Sequence, residues 1–319
     1  MLNIIFMGTP DFAVPTLESL LAWPGGRVVA VVTAPDRPAG RGRQLQASAV
    51  KVAAEAHSLP VLQPTNLKSP EFQAELQRYA ADLQVVVAFR MLPEAVWNMP
   101  RLGSINIHAS LLPQYRGAAP INWALMHGDT ETGVTSFFLR HEIDTGDLIF
   151  QERVPIAPED DFGSLYNKLK AVGADLARRS VEAIAAGTAP SIPQAQGDDL
   201  RPAPKLQKET GRLDFNRPTS ELVNWVRGLS PIPTAFATLP DGRVMKIFRA
   251  KSVELNNSFT TQKTPGTWAS DGKHYLRVAT SDGWLDLLDV QAEGKKRMGV
   301  EEFLRGAGQG LGFAALPAQ

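Results

Sequence analysis

The chain opens on an unbroken apolar run, Leu2 to Met7, closed by Gly8 and Pro10; a helix-spaced apolar pattern follows over Val14 to Ala22, then a second apolar run from Val28 to Thr33. A strand that is apolar on both sides suits the middle of a parallel sheet, where helices cover both faces. The opening therefore predicts a strand, a helix and a parallel strand. Further strands are expected over Val85 to Phe89, Ser104 to His108 and Val134 to Leu139, with helices over Ser48 to His57, Pro70 to Tyr79, Pro120 to His127 and Phe162 to Ala186. The fold class this predicts is α/β, a doubly wound, mostly parallel, Rossmann-like sheet whose ligands sit beyond the carboxyl ends of the strands.

The pattern changes after Ala186. Pro190, Pro193, Pro202 and Pro204 fall among Gly, Ala, Ser and Gln and interrupt regular structure. Beyond this stretch come one helix, Thr219 to Arg227, and short β-like runs at Ala235 to Leu239, Val244 to Val253, Gly266 to Ala269, Tyr275 to Ala279 and Trp284 to Val290. They are punctuated by Asp241-Gly242, Asp271-Gly272 and Asp282-Gly283, and Asp-Gly pairs favour tight hairpin turns. The division expected is a first domain over 1–189, a linker over 190–208 and a smaller antiparallel, OB-like β-barrel over 209–319.

Within the first domain the segment Gly103 to Gly117 stands out, because Ser104, Asn106, His108 and Ser110 alternate with Ile105, Ile107 and Ala109. Successive side chains of a strand point to opposite faces, so Asn106 and His108 are held side by side. Any half-exposed strand alternates this way. A carboxamide and an imidazole running into Leu-Leu-Pro, Tyr115 and Arg116 fit a catalytic rim better than the Thr, Lys or Glu of a solvated face.

Composition narrows the field. The 319 residues are 44% hydrophobic and contain no cysteine, which excludes disulfides, a thiolate nucleophile and a cysteine metal site. The amino terminus has no basic start or long apolar run, so neither a secretory signal nor a membrane span is expected and the cytoplasm is the default location. Net charge is zero, yet residues 1–200 hold 16 basic against 21 acidic side chains and the remainder 17 against 12, or −5 and +5. A basic second part suits a polyanionic partner.

The first turn, Gly8-Thr9-Pro10-Asp11-Phe12, lacks the Gly-x-Gly-x-x-Gly fingerprint, and no Walker loop occurs, so dinucleotide and P-loop nucleotide binding are not expected. The five histidines, His57, His108, His127, His141 and His274, form no ligand-spaced pair, and no metal is expected. The loop Arg140-His-Glu-Ile-Asp-Thr-Gly-Asp147 follows a strand and suits either a simple Asx-capped turn or an approach of Asp144 to His108. A carboxylate beside an imidazole fixes its tautomer and favours the protonated ring.

Taken together, Asn106, His108, Ser110-Leu111-Leu112-Pro113-x-Tyr115-Arg116-Gly117 and Asp144-Thr145-Gly146-Asp147 resemble the signature of the folate-dependent formyltransferases. The start Phe6 to Ala13, the loop Pro35 to Gly42 and Arg116 to Ile121 resemble the branch that formylates an aminoacyl-tRNA. The resemblance implies the formyltransferase fold and transfer of the formyl group of 10-formyltetrahydrofolate to the α-amino group of methionine on initiator tRNA, for translation initiation, by a monomer. It implies Asn106, His108 and Asp144 as catalytic residues and Ser110, Leu111, Leu112 and Pro113 as the folate-binding turn, with pterin contacts from Phe89 to Leu92. It also implies tRNA contacts from Arg37, Arg41 and Arg43 and from Lys295 and Lys296. Many members carry glycine where this chain has Arg90. The alternative within the same chemistry is a formyltransferase acting on a nucleotide-linked amino sugar or another small amine.

Overall fold

The computed structural model describes residues 1–39, 44–197, 199–253, 264–306, 308, 311 and 313. Two compact units are present: residues 1–120, 131–155 and 166–204 form the first, and residues 121–130, 156–165 and 205–319 the second. The change of unit at Lys205 falls inside the proline-rich stretch.

In the first unit the chain runs β1 (Leu2–Gly8), α1 (Val14–Leu21), β2 (Gly26–Val32), the short strands β3 (Arg37–Ala39) and β4 (Gln44–Gln46), α2 (Ala49–Ala56), β5 (Val61–Leu62), α3 (Pro70–Arg78), β6 (Leu83–Val87), α4 (Glu94–Trp97) and β7 (Ser104–His108). Past α5 (Pro120–Met126), which belongs to the second unit from Ile121 on, come β8 (Glu131–Phe138), β9 (Leu148–Pro155) and the long α6 (Phe162–Ala185), part of the first unit from Tyr166 on. The main sheet has the order β5-β2-β1-β6-β7-β8-β9. Its first five strands are parallel, and β8 and β9 run antiparallel at one edge.

Local chemistry accounts for the helix starts. The Ser48 hydroxyl accepts the Lys51 N–H ahead of α2, and Ser69 accepts the Phe72 N–H ahead of α3, whose first residue is Pro70. Each cap satisfies a backbone donor that the first turn leaves open. The doubly apolar strands are buried as their composition demands. Ile5, Met7, Ala30, Val32 and Val86 pack with Phe72, Leu76, Leu92 and Val96 in one core cluster.

The second unit contains α7 (Thr219–Leu229), β10 (Ala235–Thr238), β11 (Val244–Val253), β12 (Trp268–Ser270), β13 (Leu276–Ala279), β14 (Trp284–Ala292), β15 (Met298–Gly299) and α8 (Val300–Arg305). The ladder runs β10-β11-β14-β13-β12, with β15 added beside β14, so the antiparallel sheet is a half-barrel. Leu222, Val226 and Leu229 of α7 fill its core with Met245, Ile247, Leu276, Val278, Leu285 and Leu287. Trp268 and Trp284 are buried, and Trp225 is partly buried with its indole N–H donating to the Thr210 carbonyl, so none of the three presents a bare ring to solvent.

Candidate active site

The site is built at the carboxyl end of β7, which is clamped on both sides. Asn106 lies opposite Val86 of β6 and Phe137 of β8, and His108 lies opposite Thr135 of β8. The register leaves no freedom to slip. Ser104, on the same face, is buried and donates its hydroxyl to the Trp97 carbonyl at 2.6 Å. Asn106 is half-buried, and its carboxamide makes no hydrogen bond among the described residues.

His108 is only 7% exposed. Its Nε2 lies 2.8 Å from the Tyr115 carbonyl. A carbonyl can only accept, so the ring proton sits on Nε2 and Nδ1 is the nitrogen left for chemistry. That atom faces Asp144 Oδ2 at 3.7 Å, too long for a hydrogen bond but within ion-pair range once the ring is protonated. The two residues are 36 positions apart in sequence, and the approach considered for them is the one the fold adopts.

Asp144 is held from several directions. Its backbone lies in the left-handed region at φ +54°, where Asp is better tolerated than most side chains. Its Oδ2 accepts the Gly117 N–H at 2.9 Å, so one oxygen serves both Gly117 and His108. A Cβ on Gly146 would stand 1.6 Å from the Phe138 carbonyl oxygen, so the loop closes this tightly against β8 only with glycine there. Gly117 is subject to the same limit: at φ +124° a Cβ would meet the Ala203 carbonyl oxygen at 2.5 Å.

The turn Ser110 to Pro113 is fixed from inside. Ser110 is fully buried with its hydroxyl donated to the Gln114 carbonyl at 2.6 Å. The Thr135 hydroxyl donates to the Ser110 carbonyl at 2.6 Å and accepts the Leu112 N–H at 3.1 Å. Gln151 Nε2 donates to the Leu112 carbonyl at 2.8 Å and to Thr135 Oγ1 at 2.9 Å. The strand thus ends at His108, because the chain after it is recruited into a turn built around Thr135. Of the neighbouring segment, Leu92 is buried and Met91 is 68% exposed, while Arg90 donates to the Pro64 and Thr65 carbonyls.

Sequence reasoning missed Gln194. Its Nε2 donates to the carbonyls of Asp144 and Gly146, both at 2.8 Å, and its Oε1 accepts from Arg116 Nε and Nη2 at 3.1 and 2.6 Å. It sits in the proline- and glutamine-rich stretch, where no periodicity marks it. A cavity of about 740 Å³ opens beside it, lined by Trp97, Arg116, Arg140, Glu142, Thr145 and Leu200 among others. Ser110 to Pro113 are not among its lining residues.

The basic residues divide. Arg37 is exposed on β3, which pairs with β4, whereas Arg41 and Arg43 lie outside the described residues. The approach to that ribbon is anchored: Asp36 pairs with Lys51 at 2.7 Å and accepts from Gln63 at 2.7 Å. Lys51 and Gln63 together hold the Asp36 carboxyl below its ordinary range. In the second unit Lys296 pairs with Glu302 at 3.3 Å, while Lys205, Lys208, Lys246, Arg249 and Lys295 are exposed and form no ion pair among the described residues. Among the described residues no group of three His, Cys, Asp or Glu side chains is placed to hold a metal, and no helix is long and apolar enough to cross a membrane.

Comparison with known proteins shows the family. The model of the formyl transferase family matches residues 2–181, and that of its C-terminal domain matches residues 205–308. A methionyl-tRNA formyltransferase of Bacteroides fragilis is 52% identical over 312 residues, covering 96% of this chain and 95% of that protein. Among solved structures, an N-formyltransferase from Helicobacter canadensis, in complex with folinic acid and dTDP-3-aminofucose, superposes with a TM-score of 0.65 at 19% identity, over 92% of this chain and all of that one. HypX from Aquifex aeolicus, in complex with tetrahydrofolic acid, superposes with a TM-score of 0.60 at 19% identity; this chain spans about half of its length. By these matches and by its residues the chain belongs to the formyl transferase family, in the methionyl-tRNA formyltransferase branch.

Proposed function

We propose that the protein transfers the formyl group of 10-formyltetrahydrofolate to the α-amino group of methionine carried by initiator tRNA. The observation that carries this reading is the convergence of Asn106, His108 and Asp144 at the end of β7, in a chain 52% identical to a methionyl-tRNA formyltransferase over nearly its whole length.

The nucleophile is the substrate's own amine. An α-amino group titrates at about 8, so a neutral fraction exists at pH 7 and no enzyme nucleophile is needed. Attack on the formyl carbon forms a C–N bond and moves negative charge onto the formyl oxygen. The Asn106 carboxamide, with both N–H groups free among the described residues, is placed to donate to that oxygen. His108, with Nε2–H committed to Tyr115, presents Nδ1 to Asp144, so the pair can take up the proton shed by the amine beside the reacting group. Collapse breaks the bond from the formyl carbon to the folate nitrogen. Asp144, directly or through water, relays the proton lost by the amine to that nitrogen.

The ligand-binding surfaces are read in the same way. The turn Ser110, Leu111, Leu112 and Pro113 contributes its shape to the folate site, since the Ser110 carbonyl and both Leu112 backbone groups are already engaged. Arg37, Arg41 and Arg43 and the exposed cations of the second unit, Lys295 and Lys296 included, are assigned to tRNA phosphates. Residues 1–189 are the catalytic domain and 209–319 the tRNA-binding one.

The test is a formylation assay with 10-formyltetrahydrofolate and three acceptors: methionyl initiator tRNA, free methionine and a nucleotide-linked amino sugar. N-formylmethionine on the tRNA is expected. Preferential formylation of the sugar would transfer the assignment to the alternative acceptor.

A further inference from the structure

We propose that Gln194 is a positioning residue for the reaction, setting the His108–Asp144 pair by tying together the two loops that hold it. The proposal rests on the catalytic role assigned to Asp144 above. One of these loops carries Asp144 and Gly146. The other carries Tyr115, whose carbonyl fixes the proton of His108, and Gly117, whose N–H fixes the carboxylate of Asp144.

Gln194 joins the two with every hydrogen-bonding group it has. A carboxamide offers two N–H donors and two acceptor lone pairs. The donors go to the carbonyls of Asp144 and Gly146, both at 2.8 Å, and the oxygen receives both Arg116 contacts. Arg116 stands between Tyr115 and Gly117, so the hydrogen bonds close a ring: His108 to Tyr115, Arg116 to Gln194, Gln194 to Asp144, Asp144 back toward His108. No side chain in this ring except His108 and Asp144 needs to touch substrate.

The segment bearing Gln194 is itself fastened at both ends. Ile192 exchanges backbone hydrogen bonds with Leu148 at 2.7 and 3.0 Å, and Ala203 exchanges them with Arg116 and Ala118, both at 2.8 Å. The segment therefore lies against both loops as a strap, and Gln194 is the side chain through which it touches the Asp144 backbone. Because Asp144 has a left-handed backbone, an orientation the chain does not adopt by default, something must specify it. Gln194 holds the carbonyl of that residue.

The test is a double-mutant cycle read by steady-state formylation with each substrate varied in turn, alongside thermal melting. Gln194→Leu removes all four interactions. Gln194→Glu keeps the acceptor for Arg116 and removes both donations to the loop. Both variants are expected to lose at least tenfold in kcat, with KM for folate and for charged tRNA within about threefold of the parent. In an Asp144→Asn background Gln194→Leu should cost less than twofold further, because the group it positions is already gone. Equal losses in both backgrounds, tracking a lowered melting temperature, would make Gln194 a mere staple and overturn the proposal. So would a near-normal kcat of Gln194→Glu, which also serves if Gln194→Leu fails to fold. Near-normal turnover of Asp144→Asn alone would instead overturn the catalytic reading, and this proposal with it.

Discussion

Asp144→Asn is the sharpest perturbation the structure offers, because it removes a charge and almost nothing else. Oδ2 of Asp144 accepts the Gly117 N–H at 2.9 Å and faces His108 Nδ1 at 3.7 Å. An asparagine with its carbonyl oxygen in that place keeps the Gly117 bond and the left-handed backbone, which Asn tolerates as Asp does. What vanishes is the negative charge beside the imidazole. With the two groups 3.7 Å apart the carboxylate is placed to act on the transferring proton, and loss of such an acid–base group typically costs about 10²- to 10⁴-fold, so the variant should lose on the order of a thousandfold in single-turnover formylation. Its melting temperature should fall by only a few degrees, and folate binding, measured by fluorescence titration, should stay within about threefold. Single-turnover rates within threefold of the parent would refute the reasoning, since the carboxylate could then not be acting on the transferring proton.

Four further outcomes are expected. If Asn106 donates to the developing oxyanion as proposed, Asn106→Ala should cost on the order of 10²-fold or more in kcat, about 3 kcal/mol, with folate binding intact; a kcat within threefold would contradict it. Arg41→Ala should raise KM for charged tRNA severalfold with KM for folate unchanged, and steady-state kinetics with each substrate varied in turn will show it. Thr135→Val keeps the shape of the side chain but strands the buried Leu112 N–H and Ser110 carbonyl, so urea denaturation should register a loss of about 2–4 kcal/mol. Asp82 accepts the Asn3 N–H at 2.9 Å and pairs with Arg101 at 2.6 Å; the Asn3 bond above all holds its carboxyl below the ordinary value. A depressed carboxyl stabilises the fold above its unfolded pKa of about 3.9 and loses that contribution as pH falls through the folded value. The stability gap between the parent and Asp82→Asn should therefore be constant from pH 7 to about pH 5 and shrink below pH 4, and a gap independent of pH would contradict it.

Much of this was legible in the sequence for identifiable reasons. β7 was expected over the residues it occupies, because Ile105 and Ile107 alternate with polar residues and Gly103 stops the pattern on one side. α2 and α3 fall within the helices expected over Ser48 to His57 and Pro70 to Tyr79, and the hydroxyls of Ser48 and Ser69 cap their starts. The strand β9 was not marked, since its apolar start Leu148-Ile149-Phe150 gives way at once to Gln151, Glu152 and Arg153, exposed at the sheet edge, and no strand-length apolar or alternating run forms. The two-residue β5 and four-residue α4 are shorter than any period that could reveal them.

The site was legible unevenly. Asn106 and His108 share a strand, so spacing alone sets them side by side; Asp144 reached them only through the tertiary fold. Gln194 had no signal at all. Its partners lie 48 to 78 residues away, and the prolines around it look like a linker until the backbone bonds of Ile192 and Ala203 show the chain lying against the catalytic loops. The OB-like reading of the second unit followed its Asp-Gly turns, and the curl of a half-barrel comes from α7 filling one face of the sheet.

The measurement that bears most directly on the central claim is a crystal structure with 5-formyltetrahydrofolate, whose formyl group is not transferred. The account predicts the formyl oxygen within about 3.2 Å of the Asn106 carboxamide nitrogen, with the His108–Asp144 pair beside the same group. A formyl group bound away from the end of β7, out of reach of all three side chains, would contradict it.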